Sequence, residues 1–146
     1  MKTILTVWHS AGKGKSSTIR EFAFTLINTF PGNQIIYSDT VPFNPTGDFR
    51  LIIKINGKII AIESKGDPSS DLKGRLDDIY NNYNPDIIIC ASRTRGLTVT
   101  QIDSFAAKNS YQQIWTSTYH MDTHHDQVNK LKAKHMIELL QSLKLI

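Results

Sequence analysis

Val7 to Thr18 reads VWHSAGKGKSST, and the fold turns on how this stretch is parsed. Before and into it, Ile4 to Trp8 is an apolar run with strand character. After it, Ile19, Phe22, Ala23, Leu26 and Phe30 recur at helical spacing until Pro31-Gly32-Asn33 stops the helix. A strand, a turn of small residues and a helix therefore follow one another, with G-x-G-K-S (Gly12, Gly14, Lys15, Ser16) at the centre. Small residues let consecutive backbone N–H groups turn inward and form a nest for phosphate oxygens. The following helix points the positive end of its dipole at the same place. Ser10, Ala11, Gly12, Lys13, Gly14, Lys15, Ser16 and Ser17 are thus the candidate phosphate-binding residues. Lys15 could reach terminal phosphates, and the Ser16 hydroxyl could ligate Mg²⁺.

Downstream, Gln34 to Ser38 reads as a short strand ending at Asp39, and the turn formers of Thr40 to Asp48 (TVPFNPTGD) form a loop. Phe49 to Ile55 and Lys58 to Ile62 are β-rich runs flanking Asn56-Gly57, the strongest short-range hairpin signal. Glu63 to Pro68 leads to a helix capped near Ser69 or Ser70, with Leu72, Leu76, Ile79, Tyr80 and Tyr83 on one face. Asp86 to Cys90 is a continuous apolar strand of the kind buried in parallel sheets. Ala91 to Gly96 follows, then a helix from Thr98 to Lys108 and a last strand, Gln113 to Thr116. A loop from Tyr119 to His125 and a helix carrying Val128, Leu131, Leu139, Leu140 and Leu143 close the chain.

Alternating strands and helices call for a three-layer α/β domain spanning residues 1–146, its mainly parallel sheet including one antiparallel strand from the hairpin. Counting directions places the glycine-rich loop, Asp39, ESKGDP, SRTRG and YHMDTHH at one edge. Ligands of open α/β sheets bind beyond the carboxyl ends of the strands.

The G-K-S stretch in this context resembles the Walker A motif of P-loop NTPases, in the G-x-x-G-x-G-K-S spacing of small-molecule kinases. The position six before the lysine, glycine in that pattern, is His9. The resemblance implies binding of ATP or GTP with Mg²⁺, followed by hydrolysis or transfer of the terminal phosphate. Asp39 could hold the metal or act as a base, or simply close a strand-end turn. Glu63 and Asp67 resemble a Walker B acid at a strand end, although Asp67 also suits a helix cap. Arg93 and Arg95 could offset charge on transferring phosphoryl oxygens. The hairpin before a glycine-containing loop is similar to the layout of Ras-like GTPases, but D-x-x-G and N-K-x-D are absent.

Two other function classes remain open. A nucleotide-dependent switch would use the 40–48 loop to engage a protein partner, whereas a kinase would use it with Asp39 to hold a small-molecule acceptor. Asp48, Glu63 and Lys65 also match the spacing of PD-(D/E)xK nucleases, in which two acids hold a metal and the lysine steadies water.

Composition narrows the field. The net charge of +4 is a mild excess over 146 residues, and Lys130, Lys132 and Lys134 read as a solvated helix face. Nucleic acid is accordingly not expected as a partner. One cysteine, Cys90, excludes an internal disulfide, and no apolar run approaches a membrane span, so a cytoplasmic protein is expected. His120, His124 and His125 are irregularly spaced without a nearby cysteine and read as a surface loop rather than a zinc site. Trp8 and Trp115, on strands, are expected in the core.

Overall fold

A computed structural model describes residues 1–9 and 15–146. Its elements are β1 (Thr3–Trp8), α1 (Lys15–Thr29), β2 (Gln34–Ser38), β3 (Arg50–Ile55), β4 (Lys58–Glu63), α2 (Leu72–Tyr83), β5 (Ile87–Ser92), α3 (Leu97–Asn109), β6 (Gln112–Ser117) and α4 (His125–Ser142). The strands form one sheet in the order β2-β3-β4-β5-β1-β6. Only β3 runs against its neighbours, pairing antiparallel with β2 and β4, while β4-β5, β5-β1 and β1-β6 are parallel. The direction count is therefore correct, and it depends on the hairpin. Asn56 and Gly57 both take positive φ (51° and 79°), the backbone that a two-residue turn between twisted strands requires.

Alternation along the strands divides the core between the two faces of the sheet. Leu5, Val7, Ile53, Ile60, Ile62 and Ile89 pack with Ile19, Phe22 and Leu26 of α1 and with Met136, Ile137 and Leu140 of α4. On the other face Ile4, Ile52, Ala61, Ile88 and Cys90 pack with Leu76 and Ile79 of α2 and with Ile102 and Phe105 of α3. β5 is buried along its whole length, because it lies in the sheet interior and is covered on both faces. Each such Ile or Leu contributes about 1.5–3 kcal/mol relative to exposure, which outweighs any local propensity.

Two expectations need correcting. The last helix buries Asn129, Lys132, Ala133, Met136, Ile137 and Leu140, whereas Leu131 and Leu143 are exposed. Its inward face tolerates polar residues because they find partners: Thr18 Oγ1 donates to Asn129 Oδ1 at 3.3 Å, and Lys132 Nζ donates to Thr116 Oγ1 at 2.6 Å. Lys132 therefore does not belong to a solvated face. Trp8 and Trp115 are half-buried rather than fully buried, Trp115 packing against the edge of the α2–α3 core, and both line a surface cleft beside α3. Among the described residues, no helix is long and apolar enough to cross a membrane.

Candidate functional site

Lys15 opens α1 and is 8% exposed, with Nζ donating to the His9 carbonyl at 3.0 Å. Burial lowers its pKa, the nearby positive charge of Arg93 lowers it further, and Asp67 opposes both. Asp67 in turn pairs with Arg93, whose Nη2 lies 3.3 Å from Asp67 Oδ1. Three charges that the sequence places after three different strands thus act on one another at the carboxyl edge.

Local structure explains how Asp67 and Arg93 meet. A Cβ on Gly66 would lie 2.2 Å from the Ala91 carbonyl oxygen, so only glycine lets the segment after β4 pass this close to the end of β5. Asp67 precedes a short 3₁₀ turn, Pro68–Ser70, but its side chain caps nothing there. Asp71 caps α2 instead, accepting from the Gly74 N–H at 3.2 Å, which corrects the expected cap at Ser69 or Ser70. The Asp67 carboxylate is left to face Arg93. The Arg93 backbone N–H is anchored by Thr98 Oγ1 at 3.1 Å. Its Nε is buried and, among the described residues, has no hydrogen-bond partner. A cavity of about 520 Å³ opens beside it, lined by Pro68, Arg93, Thr94, Arg95, Gly96 and Leu97.

Ser16 meets a carboxylate that the sequence reading assigned only to the nuclease alternative. Its Oγ donates to Asp48 Oδ1 at 3.2 Å, and Ser64 Oγ donates to the same oxygen at 3.2 Å. Asp48 reaches α1 because the 40–48 loop folds back over the helix. Phe43 packs against Phe24 and Phe49, with ring centroids 5.1 and 5.2 Å apart, and Arg20 Nε donates to the Pro45 carbonyl at 3.0 Å. A cavity of about 330 Å³, lined by Ser16, Ser17, Arg20, Thr46, Gly47 and Asp48, lies at this junction. A hydroxyl and a carboxylate in contact are the hard oxygen donors that Mg²⁺ takes. Two protein oxygens suffice for an ion that usually keeps several waters and binds substrate phosphates.

The remaining candidates fall elsewhere. Asp39 directly follows the outer strand β2, with β3, β4 and β5 between that strand and β1. Its two carboxylate oxygens accept from the Tyr37 hydroxyl (2.7 Å) and the Arg50 backbone N–H (2.6 Å). Glu63 is fully buried on the α2 side, with Oε2 accepting from Arg50 Nε (2.7 Å) and Oε1 from Arg75 Nε (2.6 Å). Arg50 also pairs with Asp78 at 2.6 Å. Asp48 binds Ser64, which sits next along the strand from Glu63 and so points to the opposite face. The two acids of the nuclease pattern are accordingly not brought together, and Lys65 is exposed. Arg95 is exposed on the rim of the larger cavity.

Of the loop histidines, only His120 approaches the site, its ring 6.3 Å from that of His9. His124 and His125 bond locally to Thr123 and the Asp122 carbonyl. Ser10, Ala11, Gly12, Lys13 and Gly14, named above as phosphate ligands, lie outside the described residues.

The Asp48–Ser16 contact had no local signature, and the direction count named Asp39 rather than Asp48 at this edge. The role of Glu63 could have been found by counting. Across a two-residue turn at Asn56-Gly57, Ile55 faces Lys58 and Arg50 faces Glu63, as observed. No protein-family model, curated protein or solved structure matches this chain.

Proposed function

We propose that this chain binds ATP or GTP with Mg²⁺ at the segment joining β1 to α1, and hydrolyses or transfers the terminal phosphate. The observation that carries the reading is the contact of Ser16 with Asp48 beside the charged trio Lys15, Asp67 and Arg93. Hard oxygens for a cation and fixed positive charges for phosphate oxygens are what phosphoryl transfer asks of a protein.

In this reading Lys15 holds the terminal phosphates as a point charge, and the amides before it cradle them. Ser16 and Asp48 hold Mg²⁺, in place of the Asp39 or Asp67 expected from sequence. The metal, when bound, neutralises charge developing on the phosphate oxygens. Arg93 presents its unsatisfied Nε–H to the same oxygens. Asp67 positions Arg93 and keeps the paired charges from dispersing into solvent. Arg95, on the cavity rim, draws in an anionic acceptor where the phosphate is transferred rather than released.

The Asp48–Ser16 contact also favours the slow-turnover switch, since it links the 40–48 loop to the metal ligand. Hydrogen exchange of the 40–48 loop amides that slows only with Mg²⁺-nucleotide, without accumulation of product, would select that variant of the reading.

The test is calorimetric titration with Mg²⁺-ATP and Mg²⁺-GTP. Lys15→Ala removes a charge-assisted contact worth about 1.5–3 kcal/mol, so affinity should fall roughly ten- to hundredfold. Equal binding by folded Lys15→Ala, or no binding by the parent chain, overturns the reading.

A further inference from the structure

Both tryptophans of the chain line one cleft, each only half-buried, with Trp115 also packed against the edge of the α2–α3 core. The register pairs Thr6 with Trp115 and Trp8 with Ser117, which puts the two indoles on the same face of adjacent strands. Opposite them, Val99 and Asp103 stand one turn apart on α3, and Thr94 closes the upper end. The cleft measures about 390 Å³, within the range of about 300–1,000 Å³ typical of small-molecule pockets. Trp8 lies flat against its neighbour His9 (ring centroids 6.2 Å apart, planes 20° apart), and Trp115 Nε1 donates to Gln113 Oε1 at 2.9 Å. Both indoles are therefore held by contacts outside the cleft. Asp103 is exposed and takes no hydrogen bond or ion pair among the described residues.

The cleft also adjoins the proposed phosphate site. Trp8 immediately precedes His9, whose carbonyl accepts from Lys15 Nζ. Thr94 lines both this cleft and the cavity that contains Arg93.

We infer that the Trp8–Trp115 cleft binds the base of the nucleotide and that Asp103 makes it prefer guanine to adenine. This inference rests on the phosphate-site reading above. Indole faces accept any flat heteroaromatic ring by stacking, so they supply affinity without choosing a base. The carboxylate makes the choice, because an ionised Asp is an acceptor only. Guanine presents a ring N–H and an amino group side by side, matching two carboxylate oxygens. Adenine sets a ring nitrogen acceptor beside its amino group, and the carboxylate repels it.

With no tryptophan elsewhere, intrinsic fluorescence reports this cleft directly. The full chain is titrated in Mg²⁺ with GTP, ATP, guanosine and adenosine, and by calorimetry with inorganic tripolyphosphate. GTP should quench and bind at least about tenfold tighter than ATP, the discrimination expected of a bidentate base contact. Guanosine should quench weakly and adenosine less. Asp103→Asn, on an exposed helix face, should remove most of that preference, whereas Lys15→Ala should weaken both triphosphates and keep their ratio. Equal binding of GTP and ATP, or a preference unchanged in Asp103→Asn, overturns the base site. If tripolyphosphate still binds in a Lys15-dependent way, the phosphate reading survives that result. Absence of tripolyphosphate binding, with guanosine still quenching, removes the phosphate reading and leaves the cleft as a separate purine site.

Discussion

Two polar clusters sit near the carboxyl edge of this sheet, on opposite faces, and they differ in how completely their groups are paired. On the α2 side, Glu63 is fully buried and each of its oxygens faces an arginine, while Arg50 spans Glu63 and Asp78. Burial by itself would lower the Arg50 pKa, but its bonds to Glu63 and Asp78 outweigh that and hold it above the ordinary value. On the α1 side, Asp48 is exposed and receives two neutral hydroxyls, and at the adjoining end of β5 Arg93 Nε is unpaired among the described residues. Fully paired charges rigidify a structure and have nothing left to offer a ligand. Unmet donors and acceptors at a strand-end cavity are what a ligand can complete.

Removing Glu63 should break the first cluster with the largest effect. Glu63→Ala strands Arg50 and Arg75 together, and urea unfolding should show a loss of about 3–5 kcal/mol. Nucleotide affinity of the protein that remains folded should stay at the parent value. A specific loss of nucleotide binding at unchanged stability would transfer the site to Glu63 and erase the contrast between the clusters.

Asp39, expected at the metal, has both carboxylate oxygens committed to Tyr37 and Arg50 instead. Asp39→Asn should cost about 0.5–1.5 kcal/mol of stability, the worth of an ordinary hydrogen bond. Mg²⁺-nucleotide affinity measured by calorimetry should not change.

The smallest effect concerns pH. Lys15 and Lys132 both have pKa values lowered by burial from 10.5, so the folded chain releases these protons before the unfolded chain does. Between the lowered values and 10.5 the unfolded state binds more protons, and these two lysines make stability rise with pH across that window. At lower pH their full penalty is present. An anionic ligand at Lys15 reverses the shift, so binding in that window should take up protons. Calorimetry in two buffers of different ionisation enthalpy measures the uptake, and Lys15→Ala should abolish it.

Much of the fold was legible because it rests on local signals. Asn56-Gly57 set the hairpin, its register set Arg50 opposite Glu63, and strand parity set which loops share an edge. The order of strands was not legible: that β5 lies between β4 and β1 depends on how both faces are covered. The candidate site was legible in part for the same reason. Lys15, Asp67 and Arg93 were each marked by position after a strand. Asp48 was not, because its approach to Ser16 depends on Phe43 packing against Phe24 and Phe49, a contact between distant segments. The inward face of α4 was misread because Asn129 and Lys132 look like surface residues until Thr18 and Thr116 are placed beside them.

The proposed role of Ser16 and Asp48 as the cation side of a nucleotide site is tested most directly by the dependence of nucleotide affinity on Mg²⁺. Affinity is measured with Mg²⁺ and with chelator for the parent chain and for Asp48→Ala. The parent should bind more tightly with Mg²⁺, and Asp48→Ala should lose most of that gain while its affinity in chelator stays near the parent's. A Mg²⁺ gain that survives Asp48→Ala intact would contradict the claim and send the search for the metal ligand to another acid.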